Sequence, residues 1–167
     1  METFGKIYLD TNLFIMAFEN RGRESGLISD IFAAVAMSSA QVFATSELTL
    51  SELIVKPLRA KDEGAVAQYG ALIRSSAWLD VRQVVRDVLV VAAMLRTENS
   101  AVKLPDAIHL STAFAAGCSH ILTDDRGLKG EYVAGPHVAR SWPDARALVV
   151  LRPDEPTLTS LLQSLAA

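Results

Sequence analysis

Five carboxylates occupy positions where they could take part in catalysis or metal binding. They are Asp10, Glu52, Asp106, Asp124 and Asp125. Carboxylates that converge on one point repel each other strongly, so a cluster of them needs a cation or shared protons. Oxygen ligands of this kind favour hard cations such as Mg²⁺ or Mn²⁺. A hard divalent cation in an acidic cleft suits phosphoryl chemistry, because it can activate water, hold a phosphate oxygen and stabilise a leaving oxygen.

The acids lie at the ends of predicted strands and on predicted helices. Asp10 ends the strand-like run "KIYL", and the run "HILT" leads into Asp124 and Asp125. Glu52 lies on the apolar side of the helix in "TSELTLSELIV", and Asp106 lies in the first turn of the helix in "LPDAIHLSTA". Ligands of an open α/β sheet bind beyond the carboxyl ends of its strands. The α/β layout could therefore bring these acids to one site.

Each acid also has an interpretation without chemistry. Asp106 would complement the helix macrodipole, and Glu52 would be a solvated helix residue. The sequence "DDRG" is good turn chemistry, which is the better interpretation for at least one of Asp124 and Asp125. Asp10 has the weakest alternative, because an uncompensated carboxylate at the mouth of a buried strand is costly.

Other common sites are disfavoured by the residues that are present. The histidines and the one cysteine make no zinc pattern; they are His109, His120, His137 and Cys118. His109 lies one turn from Asp106 and could approach the acids, although such a residue more often packs in the core or supports a ligand. No nucleotide-binding glycine motif is present. Covalent phosphotransfer would want a second acid two residues after Asp10, where the chain has Asn12.

Strands alternating with helices predict a parallel sheet covered on both faces. The hydrophobic patterns predict strands over 6–9, 41–46, 78–84, 120–123 and 147–151. They predict helices over 11–18, 24–39, 46–55, 60–74, 85–97 and 105–116, with a closing helix from Pro156. Pro57 is expected to stop the third helix, and the half-exposed strand 78–84 is expected at a sheet edge. Residues 126–146 are predicted to be a long loop with at most short structure.

Composition bounds the class of protein. A chain of 167 residues suits one domain, expected over 1–167. The formal net charge of −3 argues mildly against a general nucleic-acid binder, although bound cations would offset clustered carboxylates. One cysteine allows no internal disulfide, and no apolar run is long enough to span a bilayer. A cytoplasmic protein without a membrane partner is expected.

Four blocks in order carry a family resemblance. They are "YLDTNLFI", "TLSELIVKPL", "LPDAIHLSTA" and "ILTDDRGL", and they span about residues 5–128. Together they resemble the PIN-domain nucleases, most closely the VapC-like ribonuclease toxins of type II toxin–antitoxin pairs. The resemblance implies a three-layer α/β/α sandwich around a parallel sheet of about five strands. It also implies a Mg²⁺- or Mn²⁺-dependent endonuclease acting on single-stranded or structured RNA.

The resemblance also assigns roles to residues at matching positions. The implied catalytic acids are Asp10, Glu52, Asp106 and Asp125. Of these, Asp10 and Asp106 would bind the principal ion, and Asp125, with Glu52, would hold a second ion or orient the attacking water. Cleavage would leave a 5′-phosphate and a 3′-hydroxyl. Asn12, Thr123 and Asp124 would line the site, and Thr11 would cap the first helix.

The chain departs from the family pattern near its C-terminal end. Family toxins typically end soon after the last strand, whereas the segment 126–146 and the tail from Pro153 extend this chain. "RGL" follows Asp125, where the family often has an aromatic residue. The rim that faces the substrate is therefore not predicted by the resemblance.

Partners are predicted from charge and from apolar faces. Candidates for RNA phosphate contacts are Arg21, Arg23, Lys56, Arg59, Arg126 and Lys129, although each alone is more often a solvated surface residue. The helix over 24–39 and the strand over 78–84 could supply a homodimer face or an antitoxin groove. Three alternatives stay open: an RNA-processing nuclease that is not a toxin, a hydrolase of small phosphate esters, and a PIN-like binding module without catalysis.

Overall fold

The computed structural model describes residues 4–38 and 40–166. Its strands are β1 (Ile7–Leu9), β2 (Phe43–Ser46), β3 (Leu79–Arg82), β4 (His120–Leu122), β5 (Glu131–Tyr132) and β6 (Leu148–Leu151). Its helices are α1 (Thr11–Phe18), α2 (Arg23–Met37), α3 (Glu47–Ala60), α4 (Glu63–Leu72), α5 (Arg86–Glu98), α6 (Leu104–Ala115), α7 (Pro136–Ser141) and α8 (Glu155–Leu165). The predicted end of the second helix at Ser39 lies outside the described residues.

The six described strands form one sheet in the order β3-β2-β1-β4-β6-β5. All neighbouring strands are parallel except β5, which runs antiparallel to β6. The prediction of a mainly parallel sheet is confirmed, with the short β5 as an additional strand. β1 pairs with both β2 and β4, so it is central, and β3 lies at an edge as predicted.

Alternate residues of the central strand face two separate cores. Tyr8 belongs to a core formed with α5, α6 and α7, whereas Ile7 and Leu9 belong to a core formed with α1, α2, α3, α4 and α8. This alternation follows from the two-residue period of a strand. Helices therefore cover both faces of the sheet, which confirms the three-layer α/β/α arrangement.

The sheet reverses its strand order between β1 and β4. The chain leaves β1 for β2 on one side, whereas β4 pairs with β1 on the other. The backbone N–H of Asp10 donates to the carbonyl of Leu122, so the two strands still touch where they end. Such a switch point opens a crevice at the carboxyl ends of the strands.

The prediction that α3 stops near residue 55 is wrong. The helix continues through Pro57 to Ala60 and ends where Lys61 takes a left-handed conformation with φ 55°. Proline has a helical φ, but inside a helix it removes one backbone hydrogen bond and its ring crowds the carbonyl four residues earlier. Pro57 is nevertheless buried, where α3 meets α4. Packing here outweighs the lost backbone hydrogen bond. The next helix is correspondingly shorter than predicted and is capped by Asp62, which accepts from the N–H of Ala65 at 3.0 Å.

The segment over 126–146 contains short elements, as predicted. They are the two-residue strand β5 and the six-residue helix α7. The closing helix is confirmed as α8, with Asp154 as its N-cap. In the described part of the chain, no helix is long and apolar enough to cross a membrane.

Candidate active site

Asp10 is placed by β1 and held by its neighbours at the start of α1. Its Oδ1 accepts a hydrogen bond from the N–H of Thr11 at 2.7 Å, and its Oδ2 accepts from Asn12 Nδ2 at 2.9 Å and from Thr123 Oγ1 at 2.5 Å. Asp10 is therefore the N-cap of α1, and the prediction that Thr11 caps this helix is wrong. Aspartate serves better than threonine here because its carboxylate accepts from the orphan amide at the positive helix end.

Asn12 and Thr123 brace the ends of β1 and β4 against each other. Asn12 Nδ2 also donates to Thr123 Oγ1 at 3.2 Å, and Asn12 Oδ1 accepts from the N–H of Asp124 at 3.0 Å. The Thr123 hydroxyl accepts from the N–H of Asp125 at 3.0 Å. These contacts connect the three predicted site-lining residues, and Asp124 contributes through its backbone while its side chain is exposed.

Asp125 lies in a turn that is held from the far end of the chain. Its Oδ1 accepts from the N–H of Gly127 at 2.7 Å. The guanidinium of Arg152, just after β6, donates to the carbonyls of Thr123 at 2.9 Å and Asp125 at 2.7 Å, and also to that of Leu128. Sequence analysis missed Arg152, because nothing in a lone arginine after a strand indicates three carbonyl partners.

Glu52 and His109 belong to one buried hydrogen-bonded chain. Glu52 Oε2 accepts from the hydroxyl of Thr11 and lies 2.9 Å from His109 Nε2. His109 is buried, and its Nδ1 lies 2.8 Å from the Tyr8 hydroxyl. With a proton on Nε2, the imidazole donates to the carboxylate and accepts from the phenol, which satisfies all three groups. The position of His109 one turn from Asp106 was the only signal for it in the sequence.

The hydrogen bond within this pair opposes the effect of burial on the pKa of both members. Burial alone would raise the pKa of Glu52, but hydrogen bonds from His109 and Thr11 lower it below its ordinary value. Burial likewise opposes the charged form of His109, yet the hydrogen bond to Glu52 and the negative charge of Asp10 raise its pKa. Glu52 is therefore a carboxylate at neutral pH.

Asp106 lies close enough to the other acids to feel their charge. It is half-buried in the first turn of α6. Burial raises the pKa of Asp106, and the charges of Asp125 and Asp10 raise it further. Asp106 thus feels the charges of the two acids that follow β1 and β4. His109 lies 3.6 Å from Asp10 and 2.9 Å from Glu52, so it connects the fourth predicted acid to the same crevice.

These residues fit a hard divalent cation by donor type. Within residues 4–38 and 40–166, no three His, Cys, Asp or Glu side chains are placed to hold one ion together. Mg²⁺ usually keeps several waters and needs only one or two protein carboxylates. The mutual repulsion at Asp106 is the kind that a cation would relieve, so the residues present fit such an ion without forming a closed cage.

The predicted phosphate-binding cations lie on the surface. Lys56 forms an exposed ion pair with Glu19, and Arg23 pairs with Glu155 at 2.7 Å. The remaining exposed candidates are Arg21, Arg59, Arg126 and Lys129. Arg126 and Lys129 follow Asp125 in the chain, so they are the best placed for a substrate in the crevice.

The fold and the acidic crevice define a class of α/β protein, and comparison with known proteins identifies the family. The model of the PIN domain family matches residues 7–130, which is more than half of the chain. The chain belongs to the PIN domain family. Membership supports a nuclease as the class of activity.

Solved structures share this fold. A toxin–antitoxin complex from Klebsiella pneumoniae matches with 23% identity and a TM-score of 0.55, over 90% of this chain and 99% of that one. VapC20 of Mycobacterium tuberculosis, a Sarcin-Ricin loop cleaving toxin, matches with 20% identity and a TM-score of 0.57, over 84% and 99%. VapBC2 from Rickettsia felis, bound to a DNA fragment from its promoter, matches with 15% identity and a TM-score of 0.56, over 87% and 97%. No curated protein matches in sequence.

Proposed function

We propose that the protein is a metal-dependent endoribonuclease and the toxin of a toxin–antitoxin pair. The observation that carries the proposal is Asp10 at the switch point of the sheet, held there by Asn12 and Thr123 and close enough to Asp106 for its charge to raise the pKa of that acid. Membership of the PIN domain family supports the nuclease. The structural neighbours include a toxin–antitoxin complex and a Sarcin-Ricin loop cleaving toxin, and they support a toxin that acts on RNA.

The acids would hold the cation and the water. Asp10 and Asp106 would bind the principal Mg²⁺ or Mn²⁺, and Asp125 would hold a second ion or the water. When bound, such an ion polarises a phosphoryl oxygen and stabilises charge on the leaving oxygen. Asn12 and Thr123 fix the Asp10 carboxylate by donating to its Oδ2, which keeps its Oδ1 edge oriented toward α1.

Glu52 would orient the attacking water. Its carboxylate is ionised at neutral pH, and His109 and Thr11 hold one of its oxygens. The water oxygen would attack phosphorus in line with the leaving oxygen, the phosphorus–O3′ bond would break, and the 3′ oxygen would leave as a hydroxyl. The products would be a 5′-phosphate and a 3′-hydroxyl.

Exposed charged and apolar residues are the proposed contacts for RNA and for protein partners. Lys56, Arg59, Arg126 and Lys129 would contact RNA phosphates. Exposed apolar residues on α1 and α3, including Phe18 and Leu58, would receive a small antitoxin protein, and exposed Leu89 on α5 would contribute to a homodimer. A toxin of this kind would act in the cytoplasm.

Cleavage of an RNA panel with and without metal tests the nuclease. The protein should cleave with added Mg²⁺ or Mn²⁺, and EDTA should abolish cleavage. Asp10→Asn should lower the rate by at least about 100-fold, the scale of losing one preorganised electrostatic group in an active site, while Asn keeps the helix cap. Asp30→Asn, on the exposed side of α2, is the matched control. Equal cleavage by wild type and Asp10→Asn would overturn the proposal.

Growth on expression tests the toxin assignment separately. Expression should arrest growth, Asp10→Asn should relieve the arrest, and co-expression of a small protein from a neighbouring gene should rescue it. An active nuclease that leaves growth unchanged would instead support an RNA-processing enzyme.

A further inference from the structure

A cavity of about 420 Å³ opens beside the acidic crevice. Its walls come from the end of α5, the turn before α6 and the segment over 127–133. This last segment belongs to the extension that the family resemblance left without a role. The volume is in the range of small-molecule sites, which is about 300–1,000 Å³.

The cavity is lined by residues that contact or neighbour two of the proposed catalytic acids, Asp106 and Asp125. Gly127 lines it, and the N–H of Gly127 donates to Asp125 Oδ1 at 2.7 Å. Leu110 also lines it and lies one helical turn after Asp106. From the other side, the half-buried Tyr132 is close enough to feel the charges of Asp106 and Asp125. A group in the cavity would therefore lie next to a phosphodiester held at the acids.

The chemistry of the lining favours a base over a phosphate. Leu110 and Val102 give it buried apolar surface, and Tyr132 adds an aromatic ring of the kind on which nucleobases stack. The two carboxylates of Glu98 and Glu131 outnumber the one ammonium of Lys129, so a phosphate would be repelled.

The same carboxylates favour particular bases. An ionised carboxylate only accepts hydrogen bonds, so it prefers an edge that presents amino hydrogens and disfavours one that presents carbonyl oxygens. His137 Nδ1 lies 3.3 Å from Glu98 Oε1, which holds one of these acceptors at the rim. The Asn99 amide can complement either kind of edge.

We propose that this cavity is a nucleobase subsite that binds the unpaired base next to the scissile phosphodiester and prefers a base with an exocyclic amino group. The inference deepens the proposed ribonuclease, on which its place beside a scissile bond rests. The binding itself needs no catalysis and is tested without it.

Binding of neutral nucleosides in EDTA tests the subsite. Cytidine and uridine form a matched pair, since cytidine carries an amino group where uridine carries a carbonyl, and amide chemical shifts in nuclear magnetic resonance report where each binds. Cytidine should shift the amide signals of Asn99 and of residues 127–133. Its Kd should be at least about 3-fold lower than that of uridine, a difference in affinity that corresponds to a single weak hydrogen bond. Shifts that fall elsewhere, or equal affinity for both nucleosides, would overturn the proposal.

Two variants assign the preference to the lining. Glu131→Gln should remove most of the difference in affinity between cytidine and uridine, because the new amide can donate to the uridine carbonyl. The control Glu24→Gln on α2 should leave that difference in affinity unchanged. Tyr132→Leu should weaken both nucleosides by a few-fold through loss of the ring. A cytidine preference that survives Glu131→Gln would contradict the role given to the carboxylates.

The two proposals fail in different ways. A protein that binds cytidine at residues 127–133 but cleaves no RNA keeps the base subsite and loses the ribonuclease. A protein that binds no nucleoside, and that cleaves RNA equally well when the nucleotide beside the cut lacks its base, would support the ribonuclease and contradict the subsite.

Discussion

At the scale of single residues, the site depends on buried hydrogen bonds that run away from the acids. Glu52 is held by His109, and His109 is held by the Tyr8 hydroxyl at 2.8 Å. Both ring nitrogens of His109 are thus paired, as expected of a buried imidazole. Tyr8 points into the core from the central strand, so the fold itself fixes the orientation of a proposed catalytic carboxylate.

Tyr8→Phe should destabilise the protein because it leaves buried His109 without a partner at Nδ1. The free energy of unfolding, measured with urea, should fall by about 1–3 kcal/mol. Tyr69→Phe is the matched control, since it also removes a hydroxyl that forms a hydrogen bond, here to Glu19. The Glu19 side chain is 27% exposed, so water can replace that hydrogen bond. An equal loss in the two variants would contradict the burial argument.

At the scale of elements, an ion pair ties the edge strand to the start of the central one. Lys6, which precedes β1, lies 2.6 Å from Asp80 on β3, and Arg82 adds a second contact at 2.8 Å. Burial would raise the pKa of Asp80, but Lys6 and Arg82 lower it below its ordinary value of 3.8. The contacts therefore stabilise β3 as long as Asp80 is ionised.

The stabilisation by Asp80 should depend on pH. Because its pKa is lower in the folded chain, the contribution is fully present above 3.8 and is lost as the pH falls through the folded value. At neutral pH, Asp80→Asn should lower the free energy of unfolding by about 1 kcal/mol, a modest figure for a partly exposed pair. Urea unfolding well below pH 3.8 should show a smaller difference, with the exposed Asp144→Asn as control. A difference that does not shrink in acid would contradict the assignment.

The sequence predicted the elements that local pattern determines. The strand before Asp10 and the helix that carries Asp106 were found because apolar period and a first-turn proline mark them. Pro57 was misjudged because packing against α4, which no local pattern reports, outweighs the missing amide hydrogen. Arg152 and the partners of His109 were not predictable for a similar reason: their contacts join residues far apart in the chain.

At the scale of the whole molecule, charge is unevenly distributed. The formal net charge is −3, yet Arg126 and Lys129 follow the acidic turn and lie exposed at its rim. A cation held by the carboxylates would offset their charge, so RNA could approach Arg126 and Lys129 at the rim. The net charge alone is thus a poor guide to substrate.

Removing a rim cation should weaken RNA binding in a salt-dependent way. Arg126→Ala in the Asp10→Asn background should lower affinity for single-stranded RNA by a few-fold and reduce the slope of log K against log salt by about 0.7, the value for one phosphate contact. Fluorescence anisotropy over a salt series measures both. Arg140→Ala, at an exposed position of α7, should change neither. Equal effects of the two variants would mean that the binding is not localised at the rim.

Arg152 has a consequence for motion. Its guanidinium joins three carbonyls of the turn around Asp125 to the end of β6, and β6 pairs directly with β4. The acid-bearing turn is therefore anchored to the rigid sheet on both sides, while the two-residue β5 pairs only at the sheet edge. Motion that widens the crevice is therefore expected at the β5 edge of the sheet rather than at the turn that carries Asp125.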